Sequence, residues 1–255
     1  MINTLENWFL WFMFYSIFGW IYECIVCSVS ERKLINRGFL NGPYCPIYGC
    51  GAVLDLLILG RLTNPAVIFF AGIAVNCSLE YFTGWGMEKL FHAKWWDYSN
   101  YRFNIKGRVC LLGAVVFGTF AAILIKIVHP FTVSLFARFS PNALHILTAM
   151  LFVMFVTDIT VTLIGFAGFS SKLRSFSAEL KRGREKALEF AAAYRGTLTE
   201  KLRDTDNRFP SVSALHAKFF KKTNLQERRI LKSFPKLKSL IDDEVLSELR
   251  KRLHK

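Results

Sequence analysis

Residues 8–29 read WFLWFMFYSIFGWIYECIVCSV, twenty-two positions that carry a single charge, Glu23. Coiled as a helix at 1.5 Å per residue, such a run covers the ~30 Å hydrocarbon core of a bilayer. Runs of comparable length follow at 66–85, 109–128 and 143–169. A fifth, 44–62, is weaker: its strictly apolar centre, 52–59, is short and holds Asp55. Four of the five runs thus contain a carboxylate: Glu23, Asp55, Glu80 and Asp158. A charge in hydrocarbon costs at least ~2.5–3.5 kcal/mol on insertion scales, so acids in these runs should face a protein interior, where function lies.

The distribution of charge fixes the organisation. Residues 170–255 hold 22 Lys/Arg against 11 Asp/Glu, which accounts for +11 of the chain's formal +14. The reading is all-α: a polytopic membrane domain over 1–170 with five transmembrane helices, and a basic, helical cytoplasmic tail over 171–255. If all five runs cross, three basic residues in the first loop, five in the second and the 22 of the tail share one face. That is 30 of the 33 Lys/Arg. The positive-inside rule makes this face cytoplasmic, with the N-terminus outside and a multi-pass location in the cell membrane. A re-entrant second run would instead split the two basic loops between opposite sides. Residues 1–7 carry no Lys or Arg and the first run is too long for a signal-peptide core, so it should persist as the first span.

Trp8 and Trp11 fit an outer aromatic belt, and Trp85, Trp95 and Trp96 an inner one. The six cysteines all lie in or beside apolar runs, which argues against a secreted disulfide scaffold. Cys24 and Cys27 have redox-motif spacing without a βαβ context and read as small packing residues. Glu88 and His92 are four apart, too few ligands for a metal site, and nothing in the chain calls for a cofactor.

The polar residues suggest a cavity. Asn76 and Glu80 are four apart and share a helix face. Glu23 and Glu80 sit near the cytoplasmic ends of their runs, Asp55 and Asp158 near the middle of theirs. The bland alternative is that each merely hydrogen-bonds a neighbouring helix, a contact worth about 0.6 kcal/mol. Four acids biased to one side favour a shared polar cavity. The first loop, 36–51, is rich in Gly and Pro and includes Asn41 and Tyr48; no helix should begin in it before about Ile47. Such backbone is tolerated at membrane depth only where it lines a cavity or is buried in protein. In the second loop, Trp96, Asp97, Tyr98 and Asn104 sit in an aromatic stretch suited to the headgroup layer. There Asp97 either caps a turn or pairs with Arg102 or Lys106.

At these residues the chain resembles the CmpB-like family of bacterial membrane proteins catalogued as ABC-transporter type IV permeases. The matching elements are Glu23, Gly38-Phe39-Leu40-Asn41-Gly42-Pro43, Pro46-Ile47-Tyr48-Gly49, Glu80-Tyr81-x-x-Gly84, Trp96-Asp97-Tyr98-Ser99 and Asn104-x-x-Gly107. The resemblance covers about 8–169 and implies an inner-membrane transport component. The sequence contains no G-x-x-x-x-G-K-[ST], so a permease of this kind would need a separate ATPase subunit.

In the tail, Leu173, Phe176, Leu180, Ala187, Ala191, Tyr194, Leu198 and Leu202 mark one helix face. Breaks are expected at Phe209-Pro210 and Phe234-Pro235. Its bases suit anionic lipid headgroups, and its apolar stripes suit a partner or another copy of the chain. Bases interleaved with acids, and no recognised module, argue against nucleic acid. Three functions remain: a transport component with a carboxylate-lined, cytoplasm-facing cavity; a lipid-modifying enzyme using interfacial acids; and a non-catalytic scaffold or sensor. The absence of a Ser-His-Asp or H-E-x-x-H constellation favours the first, and no catalytic residue can be assigned.

Overall fold

A computed structural model describes residues 4–193 and 223–240, together with Asp243 and Leu246. The chain is a helical bundle with little strand. Helix α1 is Thr4–Glu31, α2 is Pro46–Leu59 and α3 is Pro65–Phe91. Three two-residue strands follow, β1 (Ala93–Lys94), β2 (Asn104–Ile105) and β3 (Val109–Cys110). Next come α4 (Leu111–Ile123), a π-helical stretch over Leu124–Val128, α5 (His129–Phe136), α6 (Pro141–Ala167), α7 (Phe169–Ala193), α8 (Leu225–Ser233) and β4 (Lys238–Ser239).

Local chemistry sets several of these boundaries. Helices α3 and α6 begin alike. Asn64 and Ser140 cap the first turn through their side chains, and Pro65 and Pro141 occupy the position where an N–H would be unpaired. Pro46 opens α2 in the same way, one residue before the expected limit. The π-helical turn has an equally local cause. Pro130 cannot donate to the carbonyl four residues back, and the ladder widens over Leu124–Val128 to accommodate it. The expected 109–128 span therefore runs on to Phe136.

Four helices are long and apolar enough to cross a bilayer: Leu5–Glu31, Pro65–Phe91, Leu111–Phe136 and Pro141–Glu179. Helix α2 has 14 residues, about 21 Å of rise against a ~30 Å core. The weak second run is therefore a short helix preceded by non-helical chain. Where that chain goes is decided by α1. The Cys45 N–H donates to the Ser16 carbonyl at 2.8 Å, and Ser16 lies about 22 Å along α1 from its Glu31 end. Residues 32–45 thus fold back along α1 into the bundle, and α2 starts from inside it.

Small residues permit the close helix contacts. A Cβ on Gly49 would collide with Ser16 and Phe12 of α1, and one on Gly118 would collide with Phe69 and Ile73 of α3. In a membrane, where apolar side chains gain little by leaving lipid, such contacts hold helices together by packing. Leu59, Ile68, Ala121 and Ile125 form the core between α2, α3, α4 and the π-helical stretch.

The compositional change at Ser170 coincides with the α6–α7 junction. Beyond it, Leu173 and Phe176 join Phe169, and the expected break at Phe234-Pro235 is where α8 ends. Residues 194–222, including Tyr194, Leu198, Leu202 and the Phe209-Pro210 break, lie outside the described residues, as do the side chains of Leu180, Ala187 and Ala191. The described part of the tail packs back on the loops. Ile230, Leu231, Phe234 and Leu237 share a core with Phe91, Trp95, Phe166 and Phe169. Strand β4 pairs antiparallel with β1.

Candidate functional site

The segment that enters the bundle is held at three levels. At the first, the Arg37 N–H donates to Cys24 Sγ at 3.2 Å, and the Arg37 guanidinium lies 3.5 Å from the Glu23 carboxylate. At the second, Asp158 of α6 gathers five donors. Its Oδ1 accepts from the Asn41 N–H (3.0 Å), the Asn41 amide (2.7 Å) and Thr162 (3.1 Å). Its Oδ2 accepts from the Gly42 N–H (2.7 Å) and the Tyr44 hydroxyl (2.6 Å). At the third, Cys45 meets Ser16. Asp158 and Asn41, expected in the cavity, instead form this anchor, because extended backbone inside the bundle needs acceptors that no helix supplies.

The second loop also folds back. Trp96 packs over Gly84 of α3 and donates its indole N–H to the Arg108 carbonyl at 3.0 Å. Arg108 pairs with Glu88 at 2.5 Å, so Glu88 is committed to a guanidinium rather than to His92. Asn104 lies off the cavity wall and shapes the turn: its amide donates to the Ser99 and Tyr101 carbonyls, and its oxygen accepts from Gly107 N–H. Asp97 caps the same turn through Ser99, and its ion pair is with Lys238 of the tail at 2.6 Å rather than with Arg102 or Lys106. Burial would raise the Asp97 carboxyl, but the hydrogen bonds from Lys238 and Ser99 outweigh it and hold it at about 2.

Between these segments and α1–α4 lies a cavity of about 650 Å³. It runs from Glu31, Pro235 and Lys236, where loops and tail meet, to Asp55, Asn76 and Val128. Glu23, Tyr48, Asp55, Asn76, Glu80, Trp96, Asp97 and Tyr98 all line it, so eight of the eleven residues singled out from sequence share one wall. Tyr48 donates to Glu23 at 2.7 Å, and one amide nitrogen of Asn76 serves both oxygens of Asp55 at 2.9 Å. Tyr98 donates to Glu80 Oε1 at 3.1 Å, and burial, then the nearby Glu80 charge, push the Tyr98 hydroxyl up. Glu80 is 7% exposed and its Oε2 has no hydrogen-bond partner. The other such atom among the described residues is Trp95 Nε1, set among the rings of Phe39, Phe91, Phe166 and Phe234.

Sequence reasoning missed Arg37 and Arg229. Arg37 also reaches the Ser233 carbonyl and stacks over Phe234. Arg229 donates to the carbonyls of Leu40 (2.7 Å), Gly38 (3.3 Å) and Phe39, which ties α8 to the inserted segment. Both had been counted only as positive charge; the guanidinium fork at a run of free carbonyls is the role that count concealed.

Four helices apolar and long enough to span make the chain a multi-pass membrane protein, with carboxylates among the residues that line its internal cavity. The chain belongs to the family described as "Putative ABC-transporter type IV", which matches residues 10–163. No curated protein and no solved structure matches it.

Proposed function

We propose that the chain is the permease component of an ABC-type transporter, with the 650 Å³ cavity as its solute pathway and a separate ATPase subunit as its energy source. The cavity carries the reading. Drug-sized ligands occupy clefts of about 300–1,000 Å³, and ionisable residues between membrane helices mark solute or ion routes. The interrupted second segment adds support, since short helices that begin inside a bundle are how many transporters build a midplane site. The family description points the same way.

In this reading all five segments cross, α2 together with its extended lead-in. The face where both loops and the tail meet is cytoplasmic and the N-terminus is outside. The clustering of Arg37, Arg108, Arg229 and Lys238 at that end supports the assignment under the positive-inside rule. The test is purification of the tagged full-length chain from native membranes in mild detergent, with mass spectrometry of what accompanies it. An ATPase subunit in stoichiometric amount supports the permease. Its absence across several detergents, while the chain itself stays folded, overturns that reading.

A further inference from the structure

Within the permease reading, we infer that the cavity binds a protonated organic amine with an aromatic or otherwise apolar body. The first argument is a charge count along the wall. Five acids line the cavity, and three are paired with a base of the chain itself. Glu23 meets Arg37 at 3.5 Å, Glu31 meets Lys236 at 3.8 Å and Asp97 meets Lys238 at 2.6 Å. Asp55 and Glu80 have no Lys, Arg or His within 4.0 Å among the described residues, although they are 3% and 7% exposed. A carboxylate without a countercharge out of water is strongly unfavourable; it either takes up a proton or meets a cation, and a ligand ammonium supplies the cation.

The second argument is independent of the count. Glu80 Oε1 is occupied by Tyr98, while Oε2 lacks any donor. Native interiors satisfy nearly all buried polar atoms, so an orphaned, occluded oxygen on a cavity-lining side chain leaves a hydrogen-bonding capacity that a turn of that side chain would offer to an N–H brought from outside. The third argument is the rest of the lining. Tyr22, Phe117, Phe120 and Trp96 face the same space, and aromatic faces attract organic cations. An inorganic divalent cation prefers six or more oxygens at short range, which these separated acids do not offer. Volume, charge and walls together describe an amphiphilic amine. The ammonium has two sources, a soluble amine or an aminolipid headgroup.

The experiment uses full-length protein in phosphatidylglycerol nanodiscs and the fluorescent primary amine dansylcadaverine, with its N-acetyl derivative as the uncharged partner. Empty discs correct for partitioning. The amine should bind saturably and about tenfold or more tighter than the acetylated form, the value of one charge-assisted hydrogen bond. Glu80→Gln should remove most of that preference. Adding phosphatidylethanolamine to the discs should weaken dansylcadaverine if the lipid headgroup is the occupant, and leave it unaffected if a soluble amine is. Equal binding of the two probes by wild type, or no saturable binding, overturns the inference even if Glu80→Gln fails to fold. Those failures leave the ATPase result untouched, so the amine assignment and the permease reading fall separately.

Discussion

Asp158→Asn should release the segment that enters the bundle beside α1. The substitution keeps shape but leaves one acceptor oxygen where there were two. If that oxygen stays with Asn41 and Thr162, the new NH₂ faces the Gly42 N–H and the Tyr44 hydroxyl, which now sit 2.7 and 2.6 Å from Oδ2. Tyr44 can turn its proton away and accept instead. The Gly42 N–H cannot, and orphaning a part-buried donor costs about 1–3 kcal/mol. Loss of the charge weakens the remaining bonds by roughly another 1 kcal/mol. The sum is about 3 kcal/mol, or about a hundredfold rise in the fraction of molecules with the segment undocked. Cys45 reports it. The thiol residue is 9% exposed and its own N–H is tied to Ser16, so in a variant retaining only this cysteine, maleimide labelling requires opening. Labelling about a hundredfold faster in Asp158→Asn is the expected result. A change smaller than about threefold, with the helices intact by circular dichroism, would refute the anchoring role.

Other consequences are simpler to read. Arg229→Lys keeps the charge but loses the fork that reaches the Gly38, Phe39 and Leu40 carbonyls, and should weaken docking of α8 by about 2 kcal/mol, seen as faster limited proteolysis after residue 222. The Lys238–Asp97 contact should be insensitive to pH above about 4. Because the folded carboxyl is held at about 2, below its ordinary 3.8, its stabilisation is complete above the unfolded value and fades as pH falls through the folded one. Tail release measured between pH 4 and 2 should show that step in wild type and lack it in Asp97→Asn. Gly118→Leu should push α4 away from Phe69 and Ile73 and lower the thermal midpoint markedly, while Gly86→Leu, whose Cβ meets nothing within 4 Å, should leave it nearly unchanged.

Much of the bundle was legible because bilayer thickness turns run length into a reliable ruler. The starts of α3 and α6 have local causes that run length alone does not show, in Asn64-Pro65 and Ser140-Pro141. Of the acids, Glu23, Asp55 and Glu80 are among the residues that line one cavity. Asp158 was equally conspicuous, but its partners Asn41, Gly42 and Tyr44 lie more than a hundred residues away, and no periodicity encodes such a pairing. The Gly/Pro composition of 36–51 said that the chain would not be helical. It did not say that the chain would dive along α1, because that path depends on acceptors from two other helices.

The basic residues carry the deeper lesson. In a positive-inside tally each Lys or Arg contributes only its sign and side, so Arg37, Arg229 and Lys238 were interchangeable. In the fold each is a specific clamp: Arg37 joins Glu23 to the Ser233 carbonyl, Arg229 spans three carbonyls of the inserted segment, and Lys238 holds Asp97. The segment from 224 to 239 therefore ties together both loops that wall the cavity, and its Pro235 and Lys236 form part of that wall. It follows that the cavity cannot widen at the loop end by moving one loop alone. Either the Lys238–Asp97 pair and the β1–β4 pairing break, freeing the second loop from the tail, or the Arg229 fork and the Arg37–Ser233 contact both break, freeing the first. Phe234 and Leu237, which share a core with Phe91 and Trp95, pack between the two contacts. Because one segment of the tail contacts both loops, its removal should change both together, whatever the solute.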